Sequence, residues 1–321
     1  MTRYLVHRAG RTEEVASLDP PWLEPQSGLY IWADLQAPGE EEARVLRDVF
    51  KFHELSVEDA LQESHHPKVE SYGRYLYVVL HGINFQAEQH VFDTHDTDFF
   101  VGPNYLVTVH DGQRRSIREV AAVCSRNAFV LADGPVALLH RIVDRMVEHY
   151  RPELDEVEER LDHIERRVLE EPGVDLTGEI LAVKRDISAM RRIVMPQRDV
   201  VARLARREFD LVSQEMAYRF RDVYDQFVHM ADEAILFQDR VTGILDAHLA
   251  SVSNRLALVS KVLAAFAVIF GPLTVITGLF GMNVTLPAFP GGEAAQFWWI
   301  VGSMAAVTTM LWLVFKRTGW L

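Results

Sequence analysis

The chain has 321 residues, 49% hydrophobic and 25% charged, which excludes wholesale disorder. Its net charge of −13 argues against a nucleic-acid partner, which needs a basic face, and is compatible with attracting cations or with plain solubility. The single cysteine, Cys124, excludes an intrachain disulfide and fits a reducing compartment.

Residues 1–10, MTRYLVHRAG, contain no apolar stretch of secretory-signal length, so the N-terminus is expected to stay in the cytosol. The first half reads as mixed α/β. Residues 29–35 (LYIWADL) alternate like a strand, and 39–50 read as a helix with acidic residues in its first turn. Residues 56–64 (SVEDALQES) predict another helix, with Ser56 as N-cap and Asp59 three positions on. Residues 75–80, 91–101 and 105–109 predict strands, the last two divided by Gly102-Pro103-Asn104. Within them Asp93-Thr94-His95-Asp96-Thr97-Asp98 carries metal-ligand residue types. Alternation splits these between two faces, so the segment reads as a solvated strand or turn. His65-His66 before Pro67 reads as a helix end.

From about residue 134 the period becomes helical, with Leu154, Val157, Leu161, Ile164 and Val168 on one face. Glu170-Glu171-Pro172-Gly173 breaks that helix. A second runs from 176 to about 211, with Pro196 as an expected kink. A third starts near Ser213 and meets no proline until Pro272, a helix of ~90 Å that runs straight into an apolar segment.

Two uncharged apolar runs close the chain, at 262–280 and 297–315. Each approaches the ~20 residues that a helix needs to cross ~30 Å of hydrocarbon. Trp298, Trp299 and Trp312 lie near the ends of the second run, where amphipathic rings prefer the interface. Arg255 and Lys261 precede the first run, Lys316 and Arg317 follow the second, and the loop 281–296 has no basic residue. The positive-inside rule then puts both termini in the cytosol and the loop outside, in the cell membrane. The expected division is a cytosolic α/β domain (1–133), a helical stalk (134–261) and a two-helix membrane domain (262–321). No HExxH, CxxC, Walker or GxSxG pattern occurs, so no catalytic constellation stands out and an enzyme is not expected.

Gly281-Met282-Asn283 follows the first span directly. This is the GMN tripeptide of the CorA family of magnesium and cobalt channels, and its placement between two C-terminal spans strengthens the match. Residues 218–254 resemble the family's stalk helix, and Pro67-Lys68-Val69-Glu70 with 75–80 its N-terminal domain. The resemblance covers nearly the whole chain. It implies a funnel-shaped homopentamer whose first spans line a pore for Mg²⁺ or Co²⁺, with no cofactor. It also implies that an intracellular Mg²⁺ ion binds between subunits to an Asp in an RDVYD-like segment; Arg221-Asp222-Val223-Tyr224-Asp225 matches, making Asp222 the equivalent.

Mg²⁺ holds its water tightly, and a ring of Asn283 carboxamides offers neutral oxygens to a hydrated ion. Asn283 also suits a helix C-terminal cap. Gly281 gives the chain freedom to turn, and Met282 is expected to pack under the loop. Leu256, Ser260, Leu263, Ala267, Gly271 and Thr274 recur at steps of four and three on one helix face. This is either a pore seam, with Leu263 as an apolar constriction and Thr274 as a polar ring, or a stripe for close helix packing in lipid.

Three departures from the family stand out. Gly271 occupies a position where magnesium channels often carry a bulky apolar residue. The second acid of the regulatory pair is replaced by Gln86, with Glu88 two residues on. The loop 284–293 lacks an MPEL-like acidic segment, and its Pro290-Gly291-Gly292 with Phe297-Trp298 is similar to the ZntB zinc branch. Mg²⁺ is the expected ion and Zn²⁺ the alternative; a non-conducting membrane scaffold is the alternative of a different class.

Overall fold

A computed structural model describes residues 2–62, 66–86, 91–112, 114–127, 129–171, 173–282 and 293–318. It forms two compact units, one of residues 1–167 with 176–245, the other of 168–175 with 246–321.

In the first unit, alternating apolar residues build a seven-stranded sheet. The strands are β1 (Thr2–Arg8), β2 (Arg11–Val15), β3 (Tyr30–Gln36), β4 (Lys68–Ser71), β5 (Leu76–Gln86), β6 (Val91–Val101) and β7 (Tyr105–His110), in the order β2-β1-β3-β7-β6-β5-β4. Only β3 and β7 run parallel. Both faces are covered, so central strands are apolar on both sides. On one face Ala33, Leu35, Tyr77, Val79, Phe100, Val107 and Val109 pack against Leu46, Phe50, Phe52 and Val57. The Phe52 and Phe100 rings stack at 4.2 Å. On the other face Trp32, Leu76, Val78, Leu80, Phe99 and Leu106 are buried too. Gly102 is required in the β6–β7 turn, because a Cβ there would lie 2.2 Å from the Tyr105 ring.

The short helices differ in detail from the sequence expectation. The helix expected over 39–50 is α1 (Glu40–Arg44) continued by a π-helical turn, Val45–Val49. The next, α2 (Glu54–Leu61), starts before Ser56. His53 is its cap, accepting from the Leu55 amide at 3.2 Å, while the Ser56 hydroxyl donates to the His53 carbonyl at 2.8 Å. Ser56 therefore serves the first turn from inside it. His65 lies outside the described residues.

The remaining helices of this unit are α3 (Arg115–Arg126), α4 (Phe129–Ala132), α5 (Pro135–Glu148), α6 (Arg151–Glu170) and α7 (Thr177–Ala205), followed by the first part of α8 (Gln214–Phe280). The five apolar positions read on α6 are all buried. Pro196 lies inside α7 without ending it. Arg160 and Asp186 join α6 to α7 at 2.7 Å, with the carboxylate 8% exposed.

In the second unit, α8 passes through Pro272 and ends at Phe280, where the first apolar run ends. The last helix, α9, spans Glu293–Arg317, so it begins within the stretch expected to be loop.

Candidate functional site

Both C-terminal helices are long and apolar enough to cross a membrane, and almost nothing of either apolar stretch is buried. In the apolar part of α8 the less exposed positions are Ala264, Ala265, Ile269, Pro272, Leu273, Ile276 and Phe280. From Ala265 on, most of them form a stripe at steps of three and four. Two residues along an α-helix is about 200° of rotation, so this stripe lies opposite Leu263, Ala267, Gly271 and Thr274. The chain covers one side of its first span and leaves uncovered the seam read from spacing. Leu263 is 64% exposed, and a Cβ on Gly271 would meet nothing within 4 Å.

Hydroxyls line the last turns of α8. Thr274 Oγ1 donates to the Phe270 carbonyl at 2.9 Å, and Thr277 Oγ1 donates to the Leu273 carbonyl at 3.0 Å. With their protons held by the backbone, these oxygens present lone pairs outward, the polarity that suits a cation. Pro272 has no amide, so the Val268 carbonyl, four residues back, loses its helical partner.

Gly281 ends the helix, its amide donating to the Thr277 carbonyl at 2.8 Å. A Cβ there would come within 2.9 Å of that carbonyl oxygen, so the close approach demands glycine. Met282 is 54% exposed, and within one chain it does not pack as expected. Asn283 and the loop to Gly292 lie outside the described residues.

Aromatic and basic groups flank the second span. Phe297, Trp298 and Trp299 are exposed in its first turns, and near its end Lys316 Nζ sits over the Trp312 ring at 5.2 Å. These are groups that hold a helix at the membrane interface.

In the N-terminal part of α8, Asp222 is exposed beside the fully buried Val223 and makes no ion pair among the described residues. Gln86 closes β5 opposite Val91. Its side chain, and Glu88 altogether, lie outside the described residues. Among the described residues no three His, Cys, Asp or Glu side chains converge to hold a metal ion.

The segment 93–98 departs from expectation. It is strand, as one reading had it, but its end is not solvated: Asp98 is 4% exposed and Thr97 2%, with residues 94–96 half-buried. Register pairs His81 with Asp96 and Val79 with Asp98, so the alternation that separates odd from even residues gathers both aspartates and His81 on one face.

The chain matches the model of the CorA-like Mg²⁺ transporter protein family over residues 27–317. It is 30% identical over 316 residues to the cobalt/magnesium transport protein CorA of Thermotoga maritima, covering 95% of this chain and 84% of that one. It is 27% identical over 305 residues to the zinc transport protein ZntB of Cronobacter sakazakii, covering 90% and 86%. Its fold superposes on the complete structure of the CorA magnesium transporter from Methanocaldococcus jannaschii with a TM-score of 0.86 and 20% identity, over 100% of this chain and 99% of that one. The chain belongs to the CorA-like Mg²⁺ transporter family and is a membrane protein that transports divalent metal ions.

Proposed function

We propose that the chain carries Mg²⁺, and Co²⁺ with it, across the cell membrane through a pore built by five copies, with both termini in the cytosol. The observation that carries this reading is the uncovered seam of the first span, which runs up to the GMN tripeptide on the face opposite the stripe the chain covers. Five such seams facing one axis give a pore lined by Leu263, Ala267, Gly271 and Thr274. The second spans then lie on the lipid side, with residues 1–133 and the stalk 134–261 in the cytosol.

The steps follow from the chemistry of the lining. Mg²⁺ sheds water reluctantly, so it meets the Asn283 carboxamides still hydrated, and their oxygens accept hydrogen bonds from its shell. Neutral oxygens bind weakly enough for the ion to leave. The Thr274 hydroxyls offer a second ring of acceptors. Leu263 narrows the pore near its cytosolic end with an apolar collar, which blocks hydrated ions by dewetting until the helices part. Asp222 supplies a carboxylate for intracellular Mg²⁺. With Gln86 in place of a second acid, that hard-cation site has one charge fewer, and feedback inhibition is weak.

A second reading, Zn²⁺ transport, is favoured by the loop 284–293, which lacks acidic residues before Glu293 and carries Pro-Gly-Gly. Reconstitution in liposomes loaded with ion-selective dyes separates the two. Mg²⁺ entry exceeding Zn²⁺ entry at equal gradients supports the magnesium reading. Zn²⁺ entry with little Mg²⁺ entry moves the chain to the zinc reading. Entry of neither ion leaves a scaffold.

A further inference from the structure

Between Thr274 and the GMN tripeptide the first span carries one more polar side chain, Thr277. We propose, on the pore reading above, that Thr277 is a further residue of the ion path. Its hydroxyl oxygen accepts a hydrogen bond from the water shell of the ion as it passes from Asn283 to Thr274.

The interval between those two levels calls for an acceptor. At 1.5 Å of rise per residue, Gly281 stands about 10 Å beyond Thr274 along the helix. Mg²⁺ holds its waters at about 2 Å, and an acceptor bonded to one of those waters lies about 5 Å from the ion. An ion on the axis midway between the two levels is beyond the reach of both, since the pore radius adds to about 5 Å of height. Mg²⁺ does not shed its shell, so a stretch of lining without acceptors leaves shell donors unsatisfied and raises a barrier. Thr277 stands about 4.5 Å beyond Thr274, close to the midpoint of that stretch.

The hydroxyl is set to accept. Thr277 Oγ1 donates to the Leu273 and Thr274 carbonyls, each at 3.0 Å. Its one proton is held against the backbone, and its lone pairs are left for a donor. The Thr277 carbonyl accepts the Gly281 amide at 2.8 Å, so the same residue carries the turn that leads to Asn283.

Back-bonding alone is no signal, because Ser303, Thr308 and Thr309 of α9 do the same. Position distinguishes Thr277. It is exposed on the flank of the uncovered seam, 60° round the helix from Thr274 and 40° from Gly281. Five-fold repetition sets that flank against the opposite flank of the next copy, where Val275 and Gly278 stand at nearly the same height. Gly278 has no side chain, and a Cβ there would meet nothing within 4 Å, so the hydroxyl keeps a way to the axis.

The test is Mg²⁺ uptake into liposomes, counted per assembled oligomer, for Thr277→Val and Thr277→Ser, with Thr274→Val and Thr309→Val beside them. Valine copies the shape of threonine and suits a helix in lipid, so it removes the hydroxyl without threatening the fold. Thr277→Val should lower maximal uptake at least about fivefold, the factor expected from one lost hydrogen bond. The half-saturating Mg²⁺ concentration, set at Asn283, should stay at the parent value. Thr277→Ser should restore uptake, and Thr309→Val, which removes a back-bonded hydroxyl from α9, should have no effect. Parent uptake by assembled Thr277→Val overturns the proposal. If Thr274→Val is impaired in that case, the pore reading stands; if it too matches the parent, the pore reading falls as well. Thr277→Ser as slow as Thr277→Val also overturns the proposal, and so does an equal loss in Thr309→Val, because side-chain shape or helix packing then sets the rate.

Discussion

Asp98 ionises near 3.8 in the unfolded chain but near 7 in the fold, because burial disfavours its charge. The folded state therefore holds the proton more tightly. The stability this contributes is complete below about pH 4 and is lost as pH rises to about 7, a change of roughly 4 kcal/mol. Asp98→Asn should remove that dependence. Chemical denaturation of both proteins from pH 4 to pH 8 should show curves that coincide at the acid end and separate above it, with the variant more stable at pH 8. Curves parallel at every pH would contradict the assignment. At the end of the first span, Gly281→Ala places a methyl group against the Thr277 carbonyl, at the 2.9 Å approach of its Cβ. It should cut ion uptake by at least tenfold while leaving the melting of the soluble unit unchanged. Uptake at the parent rate would show that the helix end tolerates the shift.

At the scale of elements, the sheet core should behave as close-packed. Phe100→Ala removes a fully buried ring that stacks on Phe52, and equilibrium unfolding should register a loss of about 3–5 kcal/mol. The two faces of the first span make opposite demands. Leu263→Asn, on the uncovered seam, should wet the proposed apolar collar and raise resting Mg²⁺ leak. Leu273→Asn, on the covered stripe, should lower expression or assembly and leave no leak in what assembles. Equal leak from both would remove the distinction between faces. The seam could be proposed from the sequence because helical period survives inside an otherwise uniform apolar run, whereas the covered stripe emerged only from the structure. The five buried positions of α6 were legible for the same reason, and the strand 91–101 from its β-rich run bounded by turn residues. The start of α2 was not: His53 supplies the cap through a side-chain acceptor that sequence statistics seldom favour, while Ser56 spends its hydroxyl on the His53 carbonyl and on Tyr75. Asp98 was missed because alternation was used to separate the polar residues of β6, without the register that brings His81 alongside Asp96.

At the scale of the molecule, both spans are nearly bare in the single chain, which a stable membrane protein resolves with lipid and with copies of itself. The family, the mixed α/β domain, the long stalk helix and the two spans could all be read from sequence, since length, uncharged runs and the GMN tripeptide survive without neighbours. Ion choice could not, because in the proposed pore it depends on how Asn283 and the loop after it are arranged between copies. The detergent-solubilised protein should have the mass of five 36.7 kDa chains by native mass spectrometry; a monomer or dimer would contradict the shared pore. The most direct test of the central claim is Mg²⁺ uptake into liposomes carrying either the parent protein or Asn283→Ala, with assembly of both verified beforehand. If Asn283 forms the selectivity ring, the parent admits Mg²⁺ and the assembled variant loses that uptake. Mg²⁺ uptake undiminished in an assembled Asn283→Ala protein would contradict it.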